Sequence, residues 1–260
     1  MTDPAIVFAK AYDTSFRKIT TGYSQNEIPL FRALHSVLTG LSANFDVEEY
    51  HGTANQVKFA GNGSYARKNA RCELSDLMIV AFSSITGSVR LTYLQAKSER
   101  ATLNSVCRRE FSANLEQWYL LKQRPPIIGS GKFDPPHDLL SSALLASVGS
   151  FGFFFKDSHG DFQTFYASAS YMNPQRNYSQ RYGKLQAIGP CFTDYSGPYP
   201  ECFAACGNRS FAERLFRLEI GTPIDQSVAQ AAPTRDWLSA NLRGRIQQSQ
   251  QTDAPTSLAQ

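Results

Sequence analysis

Residues 72–97, CELSDLMIVAFSSITGSVRLTYLQAK, hold the reading on which the fold turns. Two apolar runs, Leu74–Phe82 and Val89–Leu94, flank a short Ser/Thr/Gly segment, Ser83–Ser88. β-branched and aromatic residues favour strands and Gly and Ser punctuate them, so the stretch predicts two strands joined by a hairpin-type turn. Asp76 falls in the first strand. In the second, Gln95 and Lys97 are two apart and project from one face of the sheet, while Leu94 and Ala96 face the other. An acid, a neutral oxygen donor and a lysine then converge at one end of the hairpin. Such a set suits holding a divalent cation and orienting a water for attack on phosphate.

Charge is concentrated around this hairpin. The net charge of the chain is +4, but residues 65–124 hold ten Lys/Arg against five Asp/Glu, and the remainder is slightly acidic. A solvated basic face and a phosphate-binding surface both account for that excess. Apolar content of 42% with 12% aromatic indicates a folded globular chain with a sizeable core, and excludes a disordered one. No apolar run reaches the roughly 18 residues of a membrane helix, so no membrane association is expected. The opening MTDPAIVFAKAYDTSF carries Asp3 and no apolar stretch, which predicts no secretory signal. Five cysteines at irregular spacing suit reduced thiols and a cytoplasmic location.

Outward from the hairpin, residues 5–18 predict a short helix. Ile28, Phe31, Leu34, Val37 and Leu41 recur at helical spacing behind Asn26, a good cap, with Glu27 at the helix start. A strand is expected over 56–60, with GNGS at 61–64 as a turn. After Lys97 the spacing predicts a helix over 104–122, ended by Pro125-Pro126. A short helix over 137–147, strands at 151–155 and 162–167 around the turn residues SHGD, and a helix over 211–220 complete the reading. The segment 171–207, rich in Tyr, Asn, Gly and Pro, yields no assignment. The sum is an α/β chain with a mixed central sheet flanked by helices. It reads as one domain over 1–227, followed by a polar tail over 228–260 that is expected to be disordered, with Asp236-Trp237-Leu238 able to dock.

Asp76, eighteen residues, then Gln95-Ala96-Lys97 resembles the PD-(D/E)XK nuclease superfamily, in the QxK variant of Mrr-like restriction endonucleases. The acid-bearing helix before the sheet and the helix expected after it match that context. The likeness covers roughly residues 20–125, leaving 126–227 as an unassigned elaboration. It implies a restriction-endonuclease-like core and a Mg²⁺-dependent (or Mn²⁺-dependent) endonuclease acting on DNA, with RNA left open, in restriction or antiviral defence. A homodimer and a partner protein of a defence system are further partners it allows. Under this resemblance Asp76, Gln95 through its side-chain oxygen, Ala96 through its carbonyl, and Glu27 would hold the metal. Lys97 would position or deprotonate the attacking water. Arg67, Lys68, Arg71, Arg100, Arg108 and Arg109 would bind substrate. Gln95 stands where Asp or Glu is commoner, and one negative charge is lost. That leaves an alternative open: a catalytically inactive nucleic-acid-binding or assembly subunit of the same fold.

Other constellations carry less. Glu73 lies three residues from Asp76, which in a regular strand puts it on the opposite face, where it would pair with the basic segment; only a bulge would bring it round to the site. Cys191, Cys202 and Cys206 with His159 have poor zinc spacing, the four histidines form no motif, and GNGS and GSGK (129–132) lack Walker spacing. Tyrosines interleaved with Arg176, Arg181 and Lys184 fit base stacking or an irregular packing layer equally.

Overall fold

The computed structural model describes residues 2–99, 110–175 and 181–241. The chain runs α1 (Pro4–Thr20), α2 (Glu27–Leu41), β1 (Phe45–Glu49), β2 (Gln56–Phe59), β3 (Ala70–Glu73), β4 (Leu77–Phe82) and β5 (Val89–Ser98). Next come β6 (Glu110–Asn114), α3 (Leu115–Gln123), β7 (Ile127–Gly129), β8 (Gly149–Lys156), β9 (Phe162–Ser168) and β10 (Met172–Pro174). It closes with β11 (Tyr182–Ala187), β12 (Phe192–Asp194), β13 (Glu201–Cys206), α4 (Asn208–Phe216), β14 (Thr222–Pro223) and a helix, α5, over 232–241.

A mixed eight-stranded sheet, in order β1-β4-β5-β8-β9-β13-β12 with β14 beside β5, forms the middle layer. Only the β5–β8 pair is parallel among these ladders. Side-chain alternation along each strand builds a separate core on each face. Leu77, Ile79, Leu94, Ala96, Phe154 and Tyr166 point toward α1, α2 and α4. Met78, Leu91, Tyr93, Phe151, Phe153 and Phe165 point toward α3 and two three-stranded sheets, β3-β2-β7 and β10-β11-β6. Because β8 is covered on both faces, its GSFGFFFK sequence reads as a continuous aromatic run rather than an alternating one.

The hairpin forms, with Leu77 opposite Leu94 and Phe82 opposite Val89. The expected helix over 104–122 is corrected: residues 110–114 are a strand and the helix begins at Leu115. Phe111 and Leu115 satisfy helical spacing, but Phe111 and Ala113 also alternate with exposed Ser112, and pairing with β11 selects the strand. Asn114 then caps α3, its side chain accepting from the Glu116 N–H at 3.0 Å. Residues 104–109 of that expectation lie outside the described residues. No α-helix forms over 137–147; there the chain makes successive turns, with Leu139 and Ser142 N–H bonded to Pro136 and Asp138 carbonyls, and a 3-10 turn follows at Ala146–Val148. The closing helix stops at Phe216 because Leu218 adopts a left-handed conformation, φ 57°. The tail expected from 228 is instead ordered through 241: Leu238 is buried and Trp237 meets the Phe133 ring edge-on. Its apolar residues sit at spacings that let α5 cover the core, which the polar composition conceals. Residues 242–260 lie outside the described residues. No described helix is long and apolar enough to cross a membrane.

Candidate metal centre

The stretch expected as one strand over 74–82 is two pieces, and the break between them makes the site. β3 ends at Glu73 in the β3-β2-β7 sheet, and the chain then crosses to the central sheet. Leu74 donates its N–H to Asn55 O at 3.2 Å, and Asp76 donates to Leu94 O at 3.1 Å. Asp76 is fully buried just ahead of β4, so its carboxylate needs internal partners. It accepts the Ala96 N–H at 2.8 Å and the Gln95 side-chain amide.

Strand parity on β5 is as expected. Leu94 and Ala96 sit in the helix-side core, and Gln95 and Lys97 fall on the face of Leu91 and Tyr93. Lys97 Nζ reaches Glu27 Oε1 at 3.2 Å, which brings the start of α2 into the same place. Burial pushes the Glu27 carboxyl above the usual carboxylate range; Asp76 adds to the rise and Lys97 pulls against it.

Two further residues enter: His51, which the sequence did not supply, and Glu73, which strand parity set on the other face. His51 Nδ1 lies 3.0 Å from Asp76 Oδ1 and 3.6 Å from Glu73 Oε2. One donor atom each from His51, Glu73 and Asp76 lies within 4.8 Å of the others, a set able to hold a metal ion. The Gly52 N–H binds Glu73 Oε1 at 3.0 Å, and Phe31 flanks the imidazole at 5.5 Å between centroids. Strand parity misplaced Glu73 because it assumed an unbroken strand from 73 to 82. His51 is 25 residues from Asp76 and belongs to no local motif. The signal available was register: β1 pairs antiparallel with β4, Glu49 opposite Leu77, so the residues just past β1 must run beside Asp76.

The donor set suits a divalent cation. Asp76 and Glu73 supply carboxylates, Glu27 stands by them against Lys97, and Gln95 Oε1 is buried with no hydrogen-bond partner, an acceptor left over beside Asp76. Imidazole at His51 adds affinity for Mn²⁺ and later transition metals beyond that of an all-oxygen site. Ala96, whose carbonyl the resemblance assigns to the metal, also donates its N–H to Asp76.

No family model, curated protein or solved structure matches this chain.

A cleft of about 400 Å³ opens beside the cluster, lined by Glu27, Gln56, Glu73, Lys97, Arg181 and Tyr182. Among the basic residues expected at a substrate, Arg67 is committed elsewhere: its guanidinium grips the buried Glu116 carboxylate at 2.6 and 3.0 Å. Lys68 and Arg71 are exposed near the β3-β2-β7 sheet. Arg100, Arg108 and Arg109 lie outside the described residues. Cys191, Cys202 and Cys206 do not form a ligand cluster with His159 among the described residues.

Proposed function

We propose that this chain is a divalent-cation-dependent phosphodiester hydrolase with a restriction-endonuclease-like core, an endonuclease of the PD-(D/E)XK type acting on DNA. The observation that carries the reading is the convergence of Asp76, Gln95 and Lys97 with Glu27 and Glu73 where β4 meets β5, around a buried and unpaired Gln95 Oε1. Asp76, Glu73, Gln95 and His51 would hold Mg²⁺ or Mn²⁺, with Glu27 at the edge of the set. When bound, the cation supplies positive charge toward the phosphate and lowers the pKa of its water. Lys97, kept in place by Glu27, orients the attacking water and offsets charge that builds on the phosphate. Asp76 is preorganised for its part by the Ala96 N–H, so no backbone rearrangement is needed at the moment of reaction. The neutral Gln95 does not empty the site of charge, because Glu73 supplies the carboxylate that position 95 lacks. A role in restriction or defence against foreign DNA follows from the resemblance.

The test is incubation of the purified protein with plasmid, single-stranded DNA and RNA in Mg²⁺, Mn²⁺ or EDTA, beside Asp76→Asn and Lys97→Ala. Cation-dependent cleavage lost in both variants is the expected result. Nucleic-acid binding without cleavage in any cation would leave the inactive binding subunit as the better account.

A further inference from the structure

The open face of the β3-β2-β7 sheet carries cations with no internal employment. Lys58 on β2 stands directly opposite Arg71 on β3, and both side chains are exposed. Like charges directly opposite one another destabilise a sheet, so the pair costs folding stability. Elsewhere Arg17, Arg32, Arg67, Arg209, Arg214 and Arg217 all have carboxylate partners. Lys58, Lys68 and Arg71 have no carboxylate partner among the described residues, and they line one groove of about 620 Å³ together with Ile128 and His137. Ile128, opposite Lys58 on β7, is 62% exposed.

This face leads to the metal centre. Arg71 and Glu73 are two apart on β3, and Lys58 and Gln56 two apart on β2, so each pair shares the open side. The cations therefore start about 7 Å along the strand from the residues that wall the cleft. We propose that this groove is the track for the backbone of a nucleic-acid strand, whose phosphates lie on Lys58, Lys68 and Arg71 as the strand runs to the cation site. The proposal rests on the hydrolase reading for what happens at the end of the track, and identifies the part of the substrate that is held. Phosphate contacts position a strand without reading its sequence, which suits a face offering only cations and one apolar side chain.

The experiment is fluorescence anisotropy of labelled 30-nucleotide single-stranded DNA, duplex DNA and RNA in EDTA, across a salt series. Wild-type protein is compared with Lys58→Gln/Arg71→Gln and with the charge-preserving Lys58→Arg/Arg71→Lys. The expected result is at least tenfold weaker binding by the neutralised variant, with the salt slope reduced by about one per lost contact, and near wild-type binding by the charge-preserving one. The three probes distinguish DNA from RNA as the source of the strand. Unchanged affinity and slope in the neutralised variant, or no binding by wild-type protein, overturns the proposal. Cleavage by wild-type protein in Mn²⁺, run in parallel, separates the two ideas. Cleavage with a dispensable groove sinks the track alone, whereas groove-dependent binding without cleavage in any cation sinks the hydrolase reading alone.

Discussion

Gln95 sits against a buried carboxylate, and the proposed cation site gives its amide a second role there. Without a cation, the amide donates to Asp76 and leaves its own oxygen unpaired. Replacing it by Glu puts two carboxylates side by side in a buried place, and the ionised pair is disfavoured until a cation joins them. Gln95→Glu is therefore expected to lose about 1–3 kcal/mol of stability at pH 7 in EDTA, and to gain more than wild type when Mn²⁺ is added. Melting curves with and without Mn²⁺ measure both. An unchanged melting temperature in EDTA would mean that position 95 does not feel the acid cluster. At this scale the sequence was half legible. Asp76, Gln95 and Lys97 are neighbours through one hairpin, so strand parity alone places them. His51 and Glu73 join from a different strand end and a different sheet, and no local period encodes either.

The elements around the site depend on ties that the sequence conceals for a similar reason. α3 is held to the loop before β3 by Arg67, whose guanidinium and backbone N–H both bond the Glu116 carboxylate. Burial would raise that carboxyl, but the Arg67 hydrogen bonds and the charges of Arg67 and Arg181 outweigh it and hold it below the usual carboxylate range. A lowered folded pKa means stability that is fully present above the ordinary glutamate range and fades as pH falls through the lowered value. Glu116→Gln should accordingly flatten the acid side of a stability-against-pH curve below about pH 4, followed by urea denaturation from pH 2 to 7. Arg67→Ala should lower stability, by less than the loss of a fully buried pair because the guanidinium is mostly exposed. If Arg67→Ala instead left stability intact and weakened nucleic-acid binding, the assignment of Arg67 to structure would be wrong. Gly149 adds a steric tie at the start of β8: a Cβ there would lie 2.7 Å from Leu121 Cβ and 2.8 Å from Leu121 O. Gly149→Ala must push α3 off the sheet, at about 1–3 kcal/mol by thermal melt. α2 was legible because its apolar residues match one period only, and the hairpin, β8 and β9 because short β-branched or aromatic runs bounded by turn residues are too brief for a helix. The 110–122 segment was not, since Phe111 and Leu115 fit a helix while Phe111 and Ala113 fit a strand, and only β11, seventy residues on, decides.

For the whole molecule, the proposed cation site predicts a link between cation and stability. Glu73 and Asp76 meet with His51 from β3, the lead into β4 and the residues past β1, and α2 joins them through the Glu27–Lys97 ion pair, so separate parts of the fold meet at one site. Lys97 offsets part of the acids' charge through Glu27, and His51 bridges Glu73 and Asp76. A cation bound only by the folded chain adds about 2.7 kcal/mol at a hundred times its Kd. In a chain of this size that is about 5–10 °C in Tm. Mn²⁺ is expected to raise Tm more than Mg²⁺ at equal concentration, because an imidazole in the set favours the transition metal. His51→Ala should narrow that difference while retaining some rise with either ion, and Asp76→Asn should remove most of the rise with both. The measurement is a thermal scan of each protein in EDTA, Mg²⁺ and Mn²⁺. A rise that survives in Asp76→Asn would place cation binding elsewhere on the chain. Equal shifts for the two ions in wild type would take His51 out of the ligand set and leave a site of oxygen donors alone.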